Sequence, residues 1–241
     1  MGPTQLPARM VVAMKTLTLS ALLVSMLVTA HASTWNLADD FSYSSNPKGQ
    51  WSYGWSATLG GKFVLDTIFE ATLFNTSGGS ATGWRGDAYL SDGDYYPIVM
   101  RYLGDPGKDV SALDGYVASG PGTGEVIIRQ RSGGVVMHPA PAAYAIARWT
   151  APQADIYFIS AMFYDVNGLA TTDVHVARDS ALLFSGSVNG ARSTQAWNSA
   201  NSGIWLAAGE TIEVIVGNGG NGYSSDSTGV DLIIRNTNFK H

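Results

Sequence analysis

Trp51, Tyr53 and Trp55 stand at alternate positions of one short segment, Trp51-Ser52-Tyr53-Gly54-Trp55. In an extended strand alternate side chains leave the same face, so the three rings line one surface. A sugar ring has an apolar C–H face that packs flat on an indole or phenol while its hydroxyls bond to polar groups at the rim. The chemistry offered by this spacing is glycan stacking. Trp84, Tyr95, Tyr96, Trp197 and Tyr223 fall in predicted loops and extend the expected platform. The same rings also suit the interior of a large β domain, and both readings of the Trp51 to Trp55 face stay open at this point. Trp149 and Trp205, set among apolar strand residues, are expected in the core.

Asp173-Val174-His175 places a carboxylate and an imidazole about 7 Å apart on one face of a strand. Such a pair suits acid/base work, two ligands of a metal, or simply a polar, solvated sheet face. His138, followed by Pro139, is expected to cap a turn rather than act as a base. The run Gly217-Asn218-Gly219-Gly220-Asn221-Gly222 has the letters of a dinucleotide fingerprint. A phosphate cradle needs a helix directly after the glycines, whereas Tyr223 to Thr228 reads as a turn leading to another strand. Asp92, Asp94, Asp105 and Asp109 are read as turn formers. Asp226 and Asp231, beside the glycine-rich turn, are the expected oxygen ligands of a structural calcium ion. Neither G-x-S-x-G nor H-E-x-x-H occurs.

The elements that must position these residues are strands. Alternating or apolar runs bounded by Gly, Pro, Asn or Asp recur at 51–55, 62–65, 95–102, 125–129, 144–150, 156–164, 172–178, 182–188, 211–216 and 229–235, with no sustained helical period. Long loops are expected before residue 124. The 28 glycines and 11% aromatic content fit many turns and many half-buried strands. With 45% hydrophobic and 14% charged residues, the chain has the profile of a folded domain. A composition change near Gly133-Gly134 is a possible boundary. One sandwich is preferred, because neither half alone has strands enough to close a core without long open edges.

An export signal is expected ahead of this domain. Met14-Lys15, the apolar stretch 17–28 and Ala30-His31-Ala32 form a charged start, an apolar core and a cleavage site in the expected order. Residues 1–32 are therefore read as a signal peptide, with 1–13 a possible extended start, and 33–241 as a single β-sandwich. Its location is expected to be extracellular or periplasmic, without a membrane anchor in the mature chain. The formal net charge is −5, and removing Arg9 and Lys15 with the leader makes it −7. No basic stripe suits nucleic acid. The absence of cysteine excludes disulfides and a thiol nucleophile.

Several segments carry a family likeness: the stretch from Phe41 to Trp55, His138-Pro139, Arg148-Trp149-Thr150-Ala151-Pro152, Thr172 to Val176, and Val216 to Asp231. Together they resemble uncharacterised secreted bacterial proteins of the PEP-CTERM exoprotein type, whose β domains are similar to carbohydrate-binding jelly rolls. The resemblance implies export and an all-β jelly roll of two antiparallel sheets. The chain departs from that group in lacking the Pro-Glu-Pro motif, a terminal apolar helix and a basic tail. The functional expectation is a non-catalytic module that binds polysaccharide, a cell-surface glycan or extracellular matrix. Its alternatives are a jelly-roll glycosidase or polysaccharide lyase using paired carboxylates or a histidine, and a structural exoprotein of the matrix.

Overall fold

The computed structural model describes residues 1–2, 32–76, 79–86, 97–103, 134–166, 168–190 and 193–236. The chain divides into two units, Met1–Ala30 and His31–His241, and the second holds every element considered below. The expectations for Tyr95, Tyr96 and the strand at 125–129 lie outside the described residues.

Period-two segments closed by glycine and aspartate turns fold as strands. Among the described residues there are fifteen and no helix: β1 Thr34–Asn36, β2 Trp51–Ser56, β3 Val64–Leu65, β4 Ile68–Thr76, β5 Gly79–Arg85, β6 Ile98–Tyr102, β7 Val135–His138, β8 Tyr144–Thr150, β9 Asp155–Asp165, β10 Thr171–Arg178, β11 Ala181–Asn189, β12 Thr194–Asn198, β13 Ile204–Leu206, β14 Thr211–Val216 and β15 Thr228–Asn236. They form two antiparallel sheets. The larger runs β12-β9-β15-β7-β6-β5-β4, with β1 on β15 and β13 on β9, and the smaller runs β11-β10-β14-β8-β2-β3. The chain passes between sheets from β8 to β9 to β10, and again from β13 to β14 to β15. These crossings make the sandwich a jelly roll.

The alternation seen in the sequence sorts the two faces of the smaller sheet. Val174 and Val176 of β10, and Ile212, Val214 and Val216 of β14, enter the core between the sheets, where they meet Val230, Leu232 and Ile234 of β15. Asp173 and His175 leave from the opposite face.

The same rule decides the aromatic segment. β2 forms where the spacing predicts, but its tryptophan and tyrosine side of the strand is the core side. Trp51 is 2% and Tyr53 0% exposed. Phe41 stacks on Tyr53 with ring centroids 4.7 Å apart. Trp84 is buried as well, its indole N–H donating to the Ser42 carbonyl at 2.7 Å. These rings are interior, because the sandwich is thick enough to need large side chains between its sheets. They present no face on which a sugar can stack. Trp149 is fully buried as expected, whereas Trp205 is 58% exposed, since the short strand β13 turns its central residue to solvent.

Candidate functional site

Two places gather polar side chains in an order that bears on function. The first is a cleft of about 730 Å³ lined by residues 33–35, 39–44 and 48–51. Its walls are β1, the turn at residues 37–40 and the loop leading into β2. Trp35 stands half-buried at one side, its ring packed edge-on against Trp149 at 5.1 Å. Tyr43 is exposed at the other side and accepts a hydrogen bond from Arg101 Nη1 at 2.9 Å. The lining also includes Asp40, whose Oδ2 accepts both the Asn36 amide at 2.9 Å and the Trp51 indole N–H at 3.1 Å.

The loop that closes this cleft is held by its own polar residues. Asn46 donates from Nδ2 to the carbonyls of Tyr53 and Asp66 at 2.7 and 2.8 Å, and its Oδ1 accepts the Tyr53 amide at 2.9 Å. The Ser42 hydroxyl donates to the Ser45 carbonyl at 2.6 Å. A wall fixed by so many bonds is preorganised, which lowers the ordering cost of binding. Trp51, buried as a ring, thus serves the cleft indirectly by orienting a carboxylate.

The second place is the outer face of the smaller sheet. His175 of β10 lies directly opposite Ser185 of β11. Its Nε2 is 2.8 Å from Asp173 Oδ2 and its Nδ1 is 2.9 Å from Ser185 Oγ. Asp173 Oδ1 also accepts the Gly219 amide at 2.8 Å. Burial pushes the Asp173 carboxyl up, but the hydrogen bonds from His175 and Gly219 and the neighbouring imidazole outweigh it, so its pKa falls below the usual value. An ionised carboxylate only accepts, so a ring proton sits on Nε2, which leaves Nδ1 as the nitrogen that faces the serine hydroxyl. Burial, the Asp173 charge and a hydrogen bond to Asp173 all raise the pKa of the Tyr144 phenol.

Glycine makes this crowding possible. A Cβ at Gly217 would lie 2.3 Å from both Asp173 Oδ1 and the Tyr144 ring. Gly219, at φ +62, would carry a Cβ 1.9 Å from the Thr171 carbonyl oxygen. The glycine-rich run is therefore a scaffold beside Asp173, with no helix after it to hold a phosphate. Farther across the same face, Arg148 donates from Nε to Glu213 Oε1 at 2.7 Å and stacks under Phe63 at 3.8 Å, which covers the buried Glu213.

Asp173 and His175, paired by the sequence pattern, are thus brought together, and the serine that completes the chain has no signal in that pattern. Nor have Trp35, Asp40 and Tyr43. The remaining expected residues are dispersed. Trp55 is half-buried at the end of the core side of β2, its indole N–H close to Gly86. Trp197 is half-buried and packs on the core. Tyr223 is half-buried, its ring 6.4 Å from that of His138. The Nδ1 of His138 lies 2.7 Å from the Pro139 carbonyl, and burial lowers its pKa to about 4, so it is a poor base.

The expected calcium pair does not converge. Asp226 is fully buried before β15, its Oδ1 accepting the Thr171 amide at 2.9 Å and the Thr171 hydroxyl at 3.1 Å. Asp231 lies three residues beyond Thr228, about 10 Å along the strand, on the side opposite the core. Among the described residues no group of three or more acidic or histidine side chains is placed to hold a metal.

No family model matches the chain, and no curated protein does. Among solved structures it is similar to the family 11 carbohydrate-binding module of the cellulosomal cellulase Lic26A-Cel5E of Clostridium thermocellum. That match has 10% identity and a TM-score of 0.32, over 88% of this chain and 99% of that one. It is also similar to CBM51 from Clostridium perfringens GH95 in complex with methyl-galactose, at 16% identity, a TM-score of 0.29 and 47% and 76% coverage. A third likeness is to the Podospora anserina GH26-CBM35 β-(1,4)-mannanase, at 14% identity, a TM-score of 0.27 and 79% and 28% coverage. At scores of this size the likenesses carry no weight for function.

Proposed function

We propose that this β-sandwich is an exported glycan-binding module whose site is the cleft between Trp35 and Tyr43. The observation that carries the reading is the pairing, in one open cleft of about 730 Å³, of aromatic walls with a carboxylate already oriented by the Trp51 indole. A cleft of that size suits a short oligosaccharide segment. The rings offer C–H packing, while Asp40, Gln50, Ser44 and Lys48 offer acceptors and donors for hydroxyl groups.

Isothermal titration of the protein against oligosaccharides of β-glucan, mannan and galactan tests this. Binding to at least one is expected, weakened about tenfold in Tyr43→Ala, which removes an exposed ring worth roughly 0.5–1.5 kcal/mol beyond its area. Absence of binding to the whole panel, or equal binding by wild type and Tyr43→Ala, would overturn the assignment.

A further inference from the structure

The Ser185-His175-Asp173 chain has the connectivity of an acyl-transfer site. The hydroxyl, imidazole and carboxylate are linked at 2.9 and 2.8 Å, with the imidazole 6% exposed and the serine exposed. A surface serine has water for its hydrogen bond, yet this one is held on the single imidazole nitrogen that can take its proton. The carboxylate behind is fixed in turn by the Gly219 amide, so the imidazole has one orientation and one tautomer.

The candidate oxyanion donor is the amide of Ser185 itself, whose direction follows from the strand register. Gly190 donates its amide toward the β10 side, to the Ala170 carbonyl at 2.8 Å. Asn189 instead donates to Ser193 Oγ at 3.1 Å, and the Ser187 carbonyl accepts from Gln195 Nε2 at 2.9 Å, both on the side away from β10. Backbone groups alternate along a strand, so the amide of Ser185, in step with 187 and 189, also points away from β10, on the side where Ser193 and Gln195 bond the later residues. The nucleophile's own amide is a recognised position for an oxyanion donor.

We propose that Ser185, His175 and Asp173 form a hydrolytic site for small acyl esters. His175 Nδ1 takes the Ser185 proton as Oγ bonds to the acyl carbon, and the same nitrogen returns it to the departing alcohol as the acyl C–O bond breaks. Water then attacks the acyl-serine, giving one proton through Nδ1 back to Oγ and releasing the carboxylic acid. Asp173 is a positioning residue, since among the three linked side chains it touches the imidazole and not the serine. A short acyl group is the class the site suits, because Ser185 and Ser187 are exposed and lend a long acyl chain little apolar burial. The alcohol half is unconfined, so a small alcohol and the hydroxyl of a polymer both fit. The site needs no glycan and stands independently of the cleft.

The test uses the full chain with a fluorophosphonate probe, peptide mapping, 4-nitrophenyl acetate and an acetylated xylan. Labelling at Ser185 is expected, together with acetate release that falls about 10²-fold in Ser185→Ala, a change at an exposed position that leaves the fold intact. Asp173→Asn should slow labelling and shift its pH profile, which a merely structural bond would not do. Release from the small ester alone assigns a soluble substrate; release from xylan assigns a polymer-borne ester. A serine that merely satisfies a buried imidazole would take no label, and then hydrolysis equal to that of Ser185→Ala would overturn the proposal. Neither result bears on oligosaccharide titration at the cleft.

Discussion

The two faces of the smaller sheet are built from the same strands by the same alternation, yet one is aromatic and sealed while the other, beside an apolar patch around Ile146 and Ile215, is polar and networked along β10 and β11. On the inner side Trp51, Tyr53 and Trp149 fill space between the sheets. On the outer side Asp173, His175 and Ser185 make short directional contacts across two strands. The contrast teaches that ring content in a β-sandwich first measures core volume. Binding chemistry appears where polar groups converge with geometry that water alone would not impose.

The largest effect should come from exchanging one face for the other. Tyr53→Ala removes a fully buried ring that stacks on Phe41, accepts the Ser42 amide at 3.3 Å and anchors the cleft loop. A loss of about 3–5 kcal/mol is expected, near the whole stability of a marginal domain. Ser185→Ala, on the outer face, should cost about 1 kcal/mol, the worth of its one hydrogen bond to His175, because Ser185 is exposed and water can take the hydroxyl's place. Paired urea melts check this. Equal stabilities would mean that the aromatic side of β2 is not core.

The same pair of residues shows what was legible in the sequence. Period-two patterning predicts most of the described strands and the shared face of Asp173 and His175. It is silent on which face of β2 looks inward, because inward and outward rings have the same spacing. Ser185 was hidden for a different reason. The turn joining β10 to β11 is a two-residue turn, with Asp179 at φ 44 and Ser180 at φ 70. Counted straight from that turn, His175 would face Phe184. A bulge between Val176 and Ala177 shifts the pairing by one and sets Ser185 there instead. The cleft was hidden because Trp35, Asp40 and Tyr43 meet only after β1 has paired with β15, near the other end of the chain.

A smaller effect separates a networked carboxylate from a trapped one. Asp173 is held ionised by its donors, whereas burial, opposed by the Thr171 amide and hydroxyl, raises the pKa of Asp226 to about 6. Asp226 Oδ2 meets no hydrogen-bond partner among the described residues. A folded pKa above the unfolded value of 3.8 gives a stabilising contribution that is full below about pH 3.8 and lost as pH rises through about 6. Asp226→Asn keeps an oxygen for Thr171 and removes the buried charge. The variant should be more stable than wild type by about 2–3 kcal/mol at pH 7, with the difference vanishing near pH 3. His138, whose pKa of about 4 lies below 6.5, acts in the opposite sense, losing stability as pH falls from 6.5 through 4. Its contribution cancels in the difference between the two proteins. A stability difference independent of pH between 3 and 7 would show that Asp226 does not titrate as its burial requires.

The smallest effect is expected at Trp205, and it sharpens the comparison because Trp149 and Trp205 sit in similar apolar runs. Trp149 is fully buried between the sheets, with Trp35 and Tyr157 against its ring at 5.1 and 4.9 Å. Trp205 lies at the centre of the three-residue strand β13, 58% exposed, opposite Ile156, itself 40% exposed. Its neighbours Ile204 and Leu206 face the core, so alternation alone turns Trp205 outward. What it contributes is one cross-strand contact, worth about 0.2–1 kcal/mol. Trp205→Ala should therefore cost less than about 1 kcal/mol, where Trp149→Ala costs about 3–5. An emission spectrum gives a second readout: the exposed indole is expected to account for the red edge of tryptophan fluorescence, and its removal should shift the spectrum to the blue. A Trp205→Ala variant as unstable as Trp149→Ala, or one with an unshifted spectrum, would place that ring inside the fold and erase the distinction between the two tryptophans.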